Sequence, residues 1–80
     1  MTISTIVVWD PLLHPADITA IDAKAAEMQA EGKTDNVPVI SNPPYPPKTT
    51  TRTWTTMADA EEWIVFVENY SPASATIEQT

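Results

Sequence analysis

The run Ile3-Ser4-Thr5-Ile6-Val7-Val8-Trp9 limits the fold more than any other stretch of the chain. β-Branched and aromatic residues at nearly every position predict a strand. Ile3, Val7 and Trp9 share one face of it, while Ile6 and Val8 share the other. A strand apolar on both faces belongs at the centre of a sheet with both sides covered. Asp10-Pro11 ends it, because proline cannot donate a ladder hydrogen bond. The rest of the chain must then supply flanking strands and covering layers.

A helix is predicted over Pro15 to Glu31. Proline suits the first helical position, and Asp17 complements the helix dipole in the first turn. Ile18, Ile21, Ala25 and Met28 recur at helical spacing on one face, and Asp22, Lys24, Glu27 and Glu31 point mainly elsewhere. Gly32 tolerates the left-handed backbone that stops a helix. The stretch Thr49 to Thr56 reads as a second strand, with Arg52 and Trp54 on one face and Thr51, Thr53 and Thr55 on the other. Thr56 is a good N-cap, with Asp59 three residues on approximating a capping box. A second helix follows from Met57 to about Tyr70, burying Ala60, Trp63, Ile64 and Val67, and Ser71-Pro72 ends it. Alternation from Ala73 to Gln79 predicts a half-buried final strand.

Between the halves, Val37 to Ile40 has the character of a short edge strand weakened by Pro38. Residues 42–48 form a proline-rich connector, stiff and extended because four prolines fix φ. The element order is β-α-(β)-β-α-β. The expected fold class is therefore α+β, a ferredoxin-like sheet with two helices on one face, in a single small domain over residues 1–80. With Trp54 on the second strand, both sheet faces are expected to be covered, the open one by a second subunit.

Composition removes many functions. The 80-residue chain holds one glycine, so it has no glycine-rich phosphate cradle or dinucleotide fingerprint. It holds no cysteine and one histidine, His14, which leaves no thiolate or His-rich metal site, and no cofactor is expected. Eleven acidic against four basic side chains give a net charge of −7, a poor match for nucleic acid or an anionic membrane. The longest apolar runs fall far short of the ~20 residues that span a bilayer. Met-Thr-Ile-Ser-Thr lacks a basic region and an apolar core, so a secreted location is not expected; the expectation is a cytoplasmic or virion-associated protein.

Three patterns remain as candidate chemistry. Asn42-Pro43-Pro44-Tyr45 resembles the catalytic loop of AdoMet-dependent methyltransferases that act on an amide or amino nitrogen. That resemblance would have Asn42 and the Pro-Pro carbonyl hold the nitrogen and Tyr45 stack on the substrate. Such enzymes also need a glycine-rich turn and a sheet of a much larger domain, and neither fits here. Pro43, Pro46 and Lys48 fit P-x-x-P-x-K, the pattern that SH3-type grooves read, although the same string makes an ordinary rigid connector. His14 is the sole candidate general base, with no nucleophile placed beside it.

The C-terminal half, with Arg52, Trp54, Ala60, Trp63, Ile64, Phe66, Val67, Pro72 and Ala75, is similar to small uncharacterised accessory proteins of tailed bacteriophages. That resemblance implies a short accessory protein without assigned chemistry. The resulting expectation is a non-catalytic, self-associating interaction protein, directed at a copy of itself or at a host protein. Trp9, Tyr45, Arg52 and Trp54 are its candidate contact residues. The alternatives are a small-molecule-binding protein or enzyme of the dimeric α/β-barrel kind, with Arg52, Trp54, Tyr45 and His14 lining a pocket, or a virion structural component.

Overall fold

The computed structural model describes residues 2–10, 13–34 and 48–80. They form a small α+β domain with the elements β1 (Ile3–Val8), α1 (Pro15–Ala30), β2 (Thr49–Trp54), α2 (Met57–Glu68) and β3 (Ser74–Gln79). The three strands make one antiparallel sheet in the order β2-β1-β3. The two-sided apolar strand is thus central. Its register sets Ile3 opposite Trp54 and Thr5 opposite Arg52 on one side, and Thr5 opposite Ile77 and Val7 opposite Ala75 on the other.

The helix ends follow from local chemistry. Pro15 opens α1 behind His14, whose extended backbone makes the N-cap without a side-chain cap bond. At the other end Gly32 takes φ 77, its N–H donates to Gln29 O (3.0 Å), and Lys33 N–H donates to Met28 O (3.0 Å). This pair of bonds is a Schellman motif, and it needs the positive φ that glycine adopts without strain. Thr56 caps α2 by accepting from Asp59 N–H at 3.2 Å. At its C-terminus the Asn69 amide donates to Val65 O and Phe66 O, and Ser71 turns the chain at φ 54 ahead of Pro72.

Both helices cover the sheet face that carries Ile3, Thr5, Val7 and Trp9. Ile18, Ile21, Ala25 and Met28 of α1 join Ala60, Trp63 and Val67 of α2 and the strand residues in one core. Helical spacing alone selects these residues, because each set falls within one stripe of its helix.

Two expectations change. Trp9 and Trp54 do not cover the open face of the sheet: they are 1% and 5% exposed and lie in the core beneath the helices. The register is the reason, since it places Trp54 beside Ile3 on the helix-covered side. The sheet has three strands among the described residues, and the four-stranded ferredoxin-like arrangement is not what they amount to. The candidate strand 37–40 and connector residues 42–47 lie outside the described residues, so NPPY and P-x-x-P-x-K receive no structural account.

Candidate functional site

The helix side of the sheet is filled by side chains that the sequence marks as candidates for contact. Arg52 is 2% exposed. Its guanidinium Nη2 lies 3.8 Å from Asp22 Oδ1 of α1, and its Cζ sits 5.2 Å from the centroid of the Trp63 ring. Burial pushes the Arg52 guanidinium below its ordinary value, against the attraction of Asp22. Burial also raises the Asp22 carboxyl above the usual range, and Arg52 only partly offsets this. For both partners, desolvation outweighs their mutual attraction. Trp54 packs 5.4 Å from Trp63, centroid to centroid, and its Nε1–H donates to Thr5 Oγ1 at 2.8 Å.

Arg52 and Trp54 are therefore brought together, around Trp63, but inside the fold. As contact residues for a partner they are corrected to core residues, because a buried side chain presents no surface. The same holds for Trp9, whose buried Nε1 has no acceptor among the described residues. Tyr45 lies outside the described residues. His14 is exposed at the start of α1. No cavity opens among the described residues, so the barrel-type pocket lined by Arg52, Trp54, Tyr45 and His14 has no location there. No three His, Cys, Asp or Glu side chains among the described residues converge on a metal position, and no helix there is long and apolar enough to cross a membrane.

Sequence reasoning missed Thr5 and Asp22. Thr5 is fully buried, yet in sequence it is one of many threonines. The signal for Asp22 was present: it lies one residue after Ile21 and four after Ile18, at the flank of the buried stripe. A second missed set joins the helices on the outside. Glu62 of α2 receives Lys33 at 3.2 Å and Lys24 of α1 at 3.4 Å, and Lys24 lies 5.9 Å from the Phe66 ring. The Lys33 hydrogen bond is the main cause that lowers the Glu62 pKa and raises that of Lys33. These groups are solvated, and such pairs orient helices more than they stabilise them.

Among the described residues, the surface left for recognition is the other side of the sheet. Strand alternation assembles there Ser4, Ile6 and Val8 of β1, Thr49, Thr51 and Thr53 of β2, and Ser74, Thr76 and Glu78 of β3. Ile6 and Val8 are half-buried at the centre, and hydroxyl side chains surround them. Among these strand residues Glu78 is the one charged side chain. The acidic side chains concentrate on the opposite layer, where Asp17, Glu27, Asp59, Glu61 and Glu68 decorate the helices. No protein-family model, curated protein or solved structure matches the chain.

Proposed function

We propose that this chain is a small non-catalytic protein-interaction protein that self-associates, and that the open side of its sheet is its contact surface. The observation that carries the reading is the charge segregation. An acidic molecule keeps one sheet face nearly uncharged, with Ile6 and Val8 at its centre. Docking on that face avoids bringing the helix carboxylates together, whereas docking through the helices opposes like charges. The likeness to accessory proteins of tailed phages supports a host-interaction role in the host cytoplasm, and particle association would mark a virion role instead.

The finer topology belongs to the same proposal. A ferredoxin-like sheet needs a fourth strand on the outer edge of β2. The supporting observation is an antiparallel bridge from Thr34 to Trp54, beside which Thr55 N–H donates to Lys33 O at 2.9 Å.

The size of the face sets the strength. Six-residue strands are roughly 20 Å long, and three of them at about 4.8 Å spacing give a footprint of about 280 Å2. A standard stable interface buries about 800 Å2 on each partner, so a single face supports weak binding. Sedimentation equilibrium of the whole chain tests the reading. Reversible association below several hundred micromolar is expected, and a strict monomer throughout that range refutes self-association.

A further inference from the structure

We infer that two copies of this chain pack open face to open face about a two-fold axis running along β1, so that β1 covers β1 and β2 covers β3 of the second copy. The inference rests on the self-association proposed above and adds how the two faces are aligned. Two observations constrain the alignment: where the apolar residues stand, and how little area the face offers. Ile6 and Val8 follow one another on the central strand. The register sets the open face in three rows across the sheet, centred on Ser4, Ile6 and Val8 of β1. Thr51 and Thr76 flank Ile6, while Thr53 and Glu78 flank Ser4.

Sheets packed face to face lie ~10 Å apart with their strands within about 30° of one another. A closed pair of this kind has its two-fold axis between the sheets, either along the strands or across them. An axis along β1 sets Ile6 on Ile6 and Val8 on Val8 of the second copy, and it keeps all three rows in contact. An axis across the strands at Ile6 also keeps three rows, but it covers Val8 with Ser4. Moving that axis to Val7 restores apolar contact, Ile6 on Val8, and slides the sheets by ~6.8 Å. Only two of the three rows then overlap. A face of about 280 Å2 already lies far below the ~800 Å2 per partner of a standard interface, so losing a third of it is decisive. The axis along β1 alone joins full overlap to apolar contact.

Charge agrees with this alignment. Because β3 lies over β2, Glu78 faces Thr53 of the second copy and not the other Glu78. The two Glu78 positions stand on opposite sides of the axis, about 14 Å apart and beyond the ~8 Å screening length at physiological salt. Both helix layers turn outward, so two sheets separate their carboxylates in a pair of chains of charge −7 each. The pair has four layers, helices outside and sheets within, and Ile6 and Val8 of both copies make its shared apolar centre.

The test is cross-linking of single-cysteine variants, which the absence of native cysteine makes specific. A short bismaleimide reaches across the ~10 Å between packed sheets. Thr51 and Thr76 are exposed, so Thr51→Cys and Thr76→Cys should fold, with circular dichroism as the check. An equimolar mixture of the two should give the covalent pair, and either variant alone should give several-fold less. Strong cross-linking of either variant alone, without gain on mixing, puts the axis across the strands and overturns the inference. Val65→Cys, exposed on the outer helix layer, measures random collision, and a yield equal to the mixture's overturns the inference as well. Sedimentation equilibrium separates this result from the reading beneath it. Ile6→Glu places two unpaired carboxylates in the shared centre and should raise the dissociation constant at least about tenfold. Weaker association of Ile6→Glu with no product from the mixture overturns the alignment and leaves the open face standing. Undiminished association of Ile6→Glu overturns the open face as the contact, and a native monomer at all concentrations overturns self-association too. Should Ile6→Glu fail to fold, the mixture of Thr51→Cys and Thr76→Cys decides.

Discussion

The sharpest test of the core is Thr5→Val. Thr5 lies on the central strand with no exposure, and its hydroxyl accepts the Trp54 indole N–H at 2.8 Å. Valine keeps the shape of threonine, so no cavity opens, but it leaves the indole donor buried and unsatisfied. That penalty is about 1–3 kcal/mol, reduced somewhat by the added methyl burial. A domain of this size has a total stability of about 4–12 kcal/mol. Its melting temperature should fall about 5–15 °C, at roughly 4–8 °C per kcal/mol. Urea unfolding followed by tryptophan fluorescence should show a midpoint lower by about 1–2 M. Thr5→Ser is the informative comparison, because it keeps the acceptor and loses only a methyl group. We expect Thr5→Ser to be the more stable variant. In a Trp54→Phe background the loss caused by Thr5→Val should largely vanish, since the donor is gone. Valine has the higher strand propensity, so if the hydroxyl merely filled space, Thr5→Val would match or exceed Thr5→Ser. That order would refute the hydrogen bond as the reason Trp54 is buried.

Two further outcomes follow from the same core. The Asp22 carboxyl is raised in the folded state, mainly by burial and against the pull of Arg52. A group with a raised folded pKa stabilises the fold fully below its unfolded value, near 3.8, and loses that contribution as pH rises through the folded value. The melting temperature of the native chain minus that of Asp22→Asn should therefore decline as pH rises from about 3 to 6; a difference that grows with pH would show the Arg52 attraction to dominate. Trp63 touches Trp54, Phe66 and Arg52 at the centre of the core. Trp63→Ala should remove about 3–5 kcal/mol and much of the near-ultraviolet dichroism, while Val65→Ala, on the exposed side of the same helix, should stay within about 0.5 kcal/mol.

Much of this fold is legible in the sequence because two periods carry it. The 3.6-residue period identified Ile18, Ile21, Ala25 and Met28, all buried, and the end signals at Gly32 and Thr56 act as their chemistry predicts. The two-residue period correctly paired Ile3, Val7 and Trp9 on one face and Ile6 and Val8 on the other. It could not say which face the helices choose. With β1 apolar on both sides, that choice depends on β2 and on register, which are properties of the pairing. Arg52 obscured the answer, since a charged residue reads as solvated. Here its apolar stem lies in the core, and Trp63 and Asp22 cover its head. The candidate contact residues stand out by their size and, except for Arg52, their aromaticity, which in a chain this short serve first to bury area.

The buried polar groups explain why β2 has one register. A slip of one residue would send Thr49, Thr51 and Thr53 beneath the helices and turn Arg52 and Trp54 outward. Hydroxyls alone discriminate weakly, because threonine tolerates both core and solvent. Arg52 and Trp54 discriminate strongly: in the observed register the guanidinium meets Asp22 and Trp63, and the indole meets Thr5. In the slipped one these partners remain buried without them. The pair energetics support this specifying role, since desolvation exceeds attraction for both Arg52 and Asp22, so the contact adds little net stability. Fixing β2 in this way fixes the opposite face too. The threonine ladder of the open side is thus a consequence of the buried side, and the weakly charged surface on which recognition is proposed follows from how Arg52 and Trp54 are held.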